Sequence, residues 1–175
     1  MAKQRYLNTK FWDDRYVRRL SKEGKLLFLY LLTNPLTNIA GIYEIEIERI
    51  EFDTGLAADE ITTLFKLFEK DHKIMYLDGW VAVKNFIRHQ STSSVKVQTG
   101  IVTELKRIPF ATLEQIVRKL YGIDRVSRDM HTLWRDIIYL NPNSNLNSDP
   151  NSSPENSEIL KKSGQLGDKM RIKKT

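Results

Sequence analysis

The dipeptide Asp78-Gly79 is the feature that most limits how this chain can fold. It separates two runs of β-prone residues, Ile74-Met75-Tyr76-Leu77 and Trp80-Val81-Ala82-Val83. Aspartate and glycine accept the positive φ angles of a type I′ turn, whose twist matches that of two antiparallel strands. The sequence therefore predicts a two-residue β-hairpin at residues 74–83.

The segments before the hairpin predict a defined order of elements. Ser21 is suited to N-cap a helix, Asn34-Pro35 to end it, and Gly55 to be the left-handed C-cap of a second helix. The predicted elements are a helix at 22–32, a strand at 39–43, and helices at 46–54 and 58–70. Together with the hairpin, this order is that of a winged helix-turn-helix. The predicted fold class is α+β, mainly α: a winged helix-turn-helix with extra C-terminal helices and a disordered tail.

The third of these helices has a clear apolar face but a weak start. Its core residues recur at helical spacing: Ile61, Leu64, Phe65 and Phe68. Leu56 and Ile61 form a hydrophobic staple, whereas Ala57 at the N-cap has no hydroxyl to accept a hydrogen bond. We therefore expect this helix to fray at its start.

Residues 91–140 predict a helical extension. Thr112 and Gln115 form a capping box, and Gly122 closes the helix that follows it. Apolar residues recur at helical spacing in three stripes: Val97, Ile101, Leu105 and Ile108; Leu113, Ile116, Val117 and Leu120; and Val126, Met130, Leu133, Trp134 and Ile137. Such stripes join the core, or form an interface if they have no partner inside the chain.

Composition divides the chain into four parts: an arm at 1–20 with basic and aromatic residues, a winged-helix domain at 21–90, the extension at 91–140, and a low-complexity polar linker with a basic tail at 141–175. Asparagine recurs at every second position from Asn141 to Asn147, and this polar sequence predicts disorder. Alternation in the protein also suggests repeated DNA in the gene.

Several classes of protein are disfavoured by what the sequence lacks. The 175 residues include no cysteine, and we find no apolar run of membrane-spanning length. We therefore expect a soluble, cytoplasmic protein. The three histidines follow no metal-ligand spacing and no glycine-rich phosphate loop is present. We expect no enzymatic activity, no cofactor and no metal.

Basic residues concentrate before the winged-helix segment. Residues 1–25 contain eight Lys/Arg and three Asp/Glu, whereas residues 26–90 contain six and ten. The candidate DNA-binding cations of the first segment are Lys3, Arg5, Lys10, Arg15, Arg18, Arg19, Lys22 and Lys25. The alternative is an ordinary solvated helix face.

The third helix is a poor reader of bases. Its outward candidates for DNA contact are Thr62, Thr63, Lys66 and Lys70, with no Asn, Gln or Arg for bidentate contacts to purines. Asp59 and Glu60 at its start repel phosphate. Lys84 and Arg88 after the hairpin complete the candidate set. We expect a helix held on DNA by flanking basic segments.

Four aromatic residues lie among the cations of the arm: Tyr6, Phe11, Trp12 and Tyr16. Aromatic rings among lysines and arginines can stack on single-stranded bases. The alternative is that Phe11, Trp12 and Tyr16 close the core or an interface, since Trp12 and Tyr16 would share one helical face.

Five stretches resemble the N-terminal domain of phage replisome organisers, the DnaD-like initiators of phages from low-GC Gram-positive hosts. They are RYLNTKFWDD from Arg5, KLLFLYLLTNP from Lys25, GIYEI from Gly41, DGWV with NFIRHQ from Asp78, and VKVQTGI from Val95. The resemblance covers about residues 5–108. It implies a winged helix that binds the phage origin and helps recruit the host helicase machinery. Two departures are Ala57, where the family has a capping hydroxyl, and the lack of a full second domain.

The predicted function is a DNA-binding phage or prophage replication initiator, forming a homo-oligomer and working with host helicase or helicase-loading proteins. Its origin is expected within its own gene, at the Asn-rich segment. One alternative is a winged-helix transcriptional regulator. The other is a protein-interaction scaffold of the primosome, whose acidic stripe binds a basic partner: Glu44, Glu46, Glu48, Glu51 and Asp53.

Overall fold

The computed structural model describes residues 7–89 and 94–139 of the chain. Over these residues the fold is α+β and mainly helical with one antiparallel sheet, which confirms the α+β, mainly α part of the predicted fold class. The elements in chain order are α1 (Arg15–Arg19), α2 (Lys22–Thr33), β1 (Ile42–Glu44), α3 (Ile47–Thr54), α4 (Ala58–Lys70), β2 (Ile74–Leu77), β3 (Trp80–Val83), α5 (Val95–Leu105), α6 (Phe110–Ile116) and α7 (Met130–Tyr139). Short 3₁₀ helices occupy Thr9–Phe11 and Phe86–His89.

The predicted hairpin is confirmed. Asp78 and Gly79 have φ angles of 49° and 82°, so both central residues of the turn are left-handed. β3 lies in the middle of the sheet and pairs antiparallel with both β2 and β1, in the order β1-β3-β2.

Both faces of the small sheet are buried against helices. Because side chains alternate between the two faces of a strand, the sheet contributes residues to two hydrophobic cores. Tyr43, Ile74, Val81 and Val83 pack with α2, α3 and α4, and the opposite-facing residues Ile42, Met75 and Ala82 pack with α5, α6 and α7. The C-terminal apolar stripes therefore have their partner inside the chain.

Local capping explains where the first helices begin. The Asp14 carboxylate accepts hydrogen bonds from the backbone N–H groups of Tyr16 (2.8 Å) and Val17 (3.1 Å), which starts α1. The Ser21 hydroxyl accepts one from the Gly24 N–H at 3.0 Å, as predicted for α2.

The weak start of α4 receives a cap from a different helix. No side chain at Ala57 accepts a hydrogen bond, as expected, but Glu51 Oε1 accepts one of 2.7 Å from the Ala58 N–H. Glu51 belongs to α3, which ends at the left-handed Gly55 (φ 72°). The fraying expected from the sequence at Ala57 was inferred without this cap from α3.

The first strand is shorter than predicted. It begins at Ile42 and not at Ile39, because Asn38 holds the preceding residues in a turn. The Asn38 side chain accepts a hydrogen bond from the Ala40 N–H (3.0 Å) and donates one to the Ile42 carbonyl (2.7 Å). Gly41 has a φ of 68°, and a Cβ there would lie 2.3 Å from the Cβ of Phe86, so a larger residue does not fit.

The predicted capping box in the extension is wrong. α6 begins at Phe110 after Pro109, so Thr112 lies inside the first turn and caps nothing. Pro109 takes the N-cap position of α6, three residues before Thr112, which the spacing of Thr112 and Gln115 did not reveal. Gly122 (φ 69°) ends this segment as predicted, after a π-helical turn at Val117–Tyr121.

Some predictions concern residues outside the described ranges: Lys3, Arg5, Tyr6 and the segment 141–175, including its predicted disorder. Within the described ranges, no helix has both the length and the apolar character needed to cross a membrane. The division into parts at residues 20, 90 and 140 stays a prediction.

Candidate nucleic-acid interface

The short helix α1 presents three arginines on one side. Arg15, Arg18 and Arg19 lie at positions i, i+3 and i+4, and all three are exposed. Val17 on the other side is buried and anchors the helix to the core. The anchoring fixes three guanidinium groups toward solvent, where they can contact phosphates.

The start of α2 adds less positive charge to this surface. Lys22 is exposed and lies 3.5 Å from the half-buried Glu23 carboxylate, a surface contact with little energetic weight. Lys25 is half-buried, and Lys10 in the preceding segment is exposed.

The aromatic residues of the arm divide between the core and the surface. Phe11 is buried, and the ring of Tyr16 lies 5.9 Å from that of Phe28 and 6.5 Å from that of Phe68. Of the arm's aromatic rings within the described residues, that of Trp12, which is 55% exposed, remains open to a base. Trp12 and Tyr16 lie in different elements, so the expectation of a shared helical face is wrong.

The outward face of α4 offers little for base recognition. The hydroxyls of Thr62 and Thr63 donate hydrogen bonds of 2.8 Å to the carbonyls of Ala58 and Asp59 in their own helix. Lys66 and Lys70 are exposed and form no ion pair with any described residue. The face can therefore contact phosphates through two lysines, in keeping with its sequence.

The junction between α4 and β2 positions a lysine that the sequence analysis missed. The N–H of His72 donates to the Glu69 carbonyl and the N–H of Lys73 to the Phe68 carbonyl, both at 2.9 Å, and His72 is left-handed with φ 51°. This is a Schellman motif with histidine in place of glycine. It turns the chain so that Lys73 lies against α1, with its ammonium 5.0 Å from the centre of the Tyr16 ring.

Lys73 and Arg19 line one open groove of about 420 Å³, together with Tyr16, Leu20, Leu67 and Asp71. Burial, and then the neighbouring Asp71 carboxylate, raises the pKa of the Tyr16 hydroxyl, so this ring stays neutral. The groove joins α1 to the open end of the hairpin. No single sequence motif contains these residues, because α1, the end of α4 and the junction before β2 each contribute.

Lys84 extends the positive charge across the open end of the hairpin. Its backbone N–H donates to the Lys73 carbonyl at 2.9 Å, which places the two lysines side by side, Lys73 just before β2 and Lys84 just after β3. Burial, followed by the charges of Lys73 and Arg88, lowers the pKa of the Lys84 ammonium. We call Lys73 and Lys84 the basic end.

Arg88 lies beside the basic end but has a structural role. Its Nη2 donates a hydrogen bond of 2.6 Å to the Ile138 carbonyl, which holds the last turns of α7 against the chain that follows the hairpin. Its predicted contact with phosphate is untested, and we leave it out of the interface.

The opposite end of the hairpin is acidic. Asp78 lies in the turn, and Glu44 on β1 is paired with Trp80 next to it. Glu46 and Glu48 line a groove of about 320 Å³ with Ile47 and Tyr76. Burial first, and then the charges of Glu48 and Glu46, raise the pKa of the Tyr76 hydroxyl. We call Glu44, Glu46, Glu48 and Asp78 the turn end.

Two members of the predicted acidic stripe belong instead to the fold. Glu51 caps α4, and Asp53 Oδ2 accepts hydrogen bonds from the Tyr30 hydroxyl (2.6 Å) and Arg49 Nε (2.7 Å). These donors, the Tyr30 hydroxyl first, lower the pKa of Asp53. Of the predicted stripe, Glu44, Glu46 and Glu48 remain available to a partner.

Comparisons with known proteins return nothing similar. No protein-family model matches the chain, and neither the curated proteins nor the solved structures give a match. Among the described residues, no cluster of three or more His, Asp or Glu is arranged to hold a metal ion.

Proposed function

We propose that this chain is a DNA-binding replication initiator of phage or prophage origin, built on a winged helix-turn-helix. The order α2, β1, α3, α4, β2, β3 supports the winged-helix assignment. The resemblance of residues 5–108 to phage replisome organisers supports a role in initiation. Origin DNA is the proposed partner, with host helicase or helicase-loading proteins and a homo-oligomer as further expectations.

The observation that carries DNA binding is the set of arginines on α1. Three exposed cations on one side of a helix that a buried valine anchors are complementary in charge to a phosphate backbone. The surface of α4 favours a protein that is held on DNA by phosphate contacts and recognises few bases, because its threonine hydroxyls are already hydrogen-bonded within the helix. This favours an initiator over a transcriptional regulator, which needs a helix that reads bases.

The proposal is tested with DNA from the gene itself. Purified protein is titrated into three labelled duplexes: one from codons 141–154, one with the same amino acids recoded by synonymous codons, and one from a promoter. We expect the native duplex to bind at least about 1 kcal/mol more tightly than the recoded one, the cost of a single mismatched pair. Equal affinity for native and recoded duplexes would show that the origin does not lie in this segment. Preference for the promoter would favour the regulator, and no binding to any duplex would refute DNA binding.

A second candidate function is a protein-interaction scaffold. Phe52 on α3 is 87% exposed, which is unusual for a large aromatic residue, and it lies one helical turn from Glu48 of the turn end. An exposed ring beside carboxylates that form no ion pair with any described residue fits a basic partner with an apolar side chain. The variant Phe52→Ser should keep its affinity for DNA and lose its affinity for such a partner. If the chain acts as an initiator alone, the substitution should change neither DNA binding nor protein binding.

A further inference from the structure

The two ends of the hairpin carry charges of opposite sign. Its open end carries Lys73 and Lys84, and its closed end carries Asp78 with Glu44 beside it. From Lys73 to Asp78 the chain advances five residues, or about 17 Å at the rise of a β-strand. That separation is about two Debye lengths at physiological salt, so the two ends act on a ligand almost independently.

The basic end is continuous with the arginines of α1. Lys73 contacts the Tyr16 ring and shares a groove with Arg19, and Arg19 is one residue from Arg18. Among the described residues, no ion pair forms with Arg19, Lys73 or Lys84. Five cations on α1 and at the hairpin's open end are thus available to one polyanion: Arg15, Arg18, Arg19, Lys73 and Lys84.

We propose that DNA phosphates bind across α1 and the open end of the hairpin, with Lys73 and Lys84 as direct phosphate contacts and the Asp78-Gly79 turn directed away from DNA. This assignment rests on the proposed DNA-binding function and gives it an orientation. The hairpin then serves as a rigid support that carries two lysines at its base. It does not insert its tip into a groove.

Two features of the sheet favour this orientation. Four carboxylates at the turn end would repel phosphates, and a DNA-contacting hairpin tip with that charge would weaken binding. Both faces of the sheet are covered by helices, so the strands offer no face to DNA. The base of the hairpin is the end with the favourable charge.

The orientation is tested with three double variants of the full chain. Lys73→Gln with Lys84→Gln neutralises the basic end. Glu44→Gln with Asp78→Asn removes the two carboxylates nearest the hairpin turn and keeps its left-handed conformation, since asparagine tolerates positive φ. Lys106→Gln with Lys119→Gln is the matched control: two exposed lysines of the C-terminal helical region, with the same change of charge. Affinity for a labelled duplex is measured from 50 to 200 mM salt, and circular dichroism verifies folding.

We expect the basic-end variant to bind about tenfold more weakly and its slope of log K against log salt to flatten by about 1.8, or about 0.9 per lost contact. The control and turn-end variants should stay within about twofold of the wild type. Unchanged binding by the basic-end variant, or a large gain by the turn-end variant, would overturn the orientation while leaving DNA binding intact. A wild-type protein that binds no duplex would instead refute the proposed function itself.

Discussion

The two ends of the β-hairpin differ in more than the sign of their charge. The open end contains a left-handed histidine and a half-buried lysine beside other cations, both of which cost stability. The turn end has Asp78-Gly79, which suits its turn at little cost, and its carboxylates are exposed apart from one side of a shallow groove. Unfavourable local features that persist in a fold are typical of functional sites, so the comparison favours the open end as the site.

The largest expected effect concerns α1, which extends the basic end. Changing Arg15, Arg18 and Arg19 together to glutamine removes three phosphate contacts and should weaken DNA binding by roughly a hundredfold at 0.1 M salt. Fluorescence anisotropy over a range of salt concentrations should show a slope flatter by about 2.7.

This triple substitution is a better test than deleting the arm. Removal of residues 1–19 would also remove the buried side chains of Phe11 and Val17, so lost binding could reflect lost folding. A triple variant with wild-type affinity and slope would show that DNA approaches from another side.

An intermediate effect separates the acidic residues that stabilise the fold from those of the turn end. Glu51→Ala removes the acceptor for the Ala58 N–H and should lower the free energy of unfolding by about 1 kcal/mol, the usual value of a helix cap. Glu48→Ala, one turn earlier on the same helix, is the control. Urea denaturation compares the two, and equal stabilities would mean that Glu51 does not cap α4.

The smallest expected effect is a gain of stability at the open end. The folded pKa of Lys84 lies below its unfolded value, so the charged folded form is disfavoured. This cost is fully present below the folded pKa and disappears as the pH rises above the unfolded value. Lys84→Met should therefore raise the free energy of unfolding at pH 7 by up to about 0.5 kcal/mol while weakening DNA binding.

Thermal unfolding at pH 7 and near pH 11 measures the effect of Lys84→Met. The advantage of the variant should shrink at the higher pH, where lysine in the unfolded chain also loses its proton. A variant that is less stable than the wild type at pH 7 would show that Lys84 contributes to the fold and is not held at a cost.

Local chemistry explains which features could be predicted from the sequence. The hairpin, the Ser21 cap and the Gly55 cap depend on residues within four positions of one another, and all three were predicted. Asn38 and Gly41 carried a comparable turn signal, but the apolar run that contains Ile39 concealed it.

The candidate site depends on contacts between distant parts of the chain. Lys73 meets Arg19 only because α1 packs beside the end of α4, and Glu51 caps α4 only because two helices meet. The burial of the sheet's second face required the C-terminal stripes to fold back on it. Periodicity identifies such stripes as apolar, but it does not identify what they cover.

The most direct measurement of which end faces DNA is a titration followed by two-dimensional amide NMR. Our account predicts that addition of a duplex shifts or broadens the signals of Arg15–Arg19, Lys73 and Lys84, while those of Asp78 and Gly79 remain in place. Glycine amides resonate in a separate region, so Gly79 is a convenient reporter of the turn. Perturbation of Gly79 and Asp78, with unchanged signals at Lys73 and Lys84, would contradict the account.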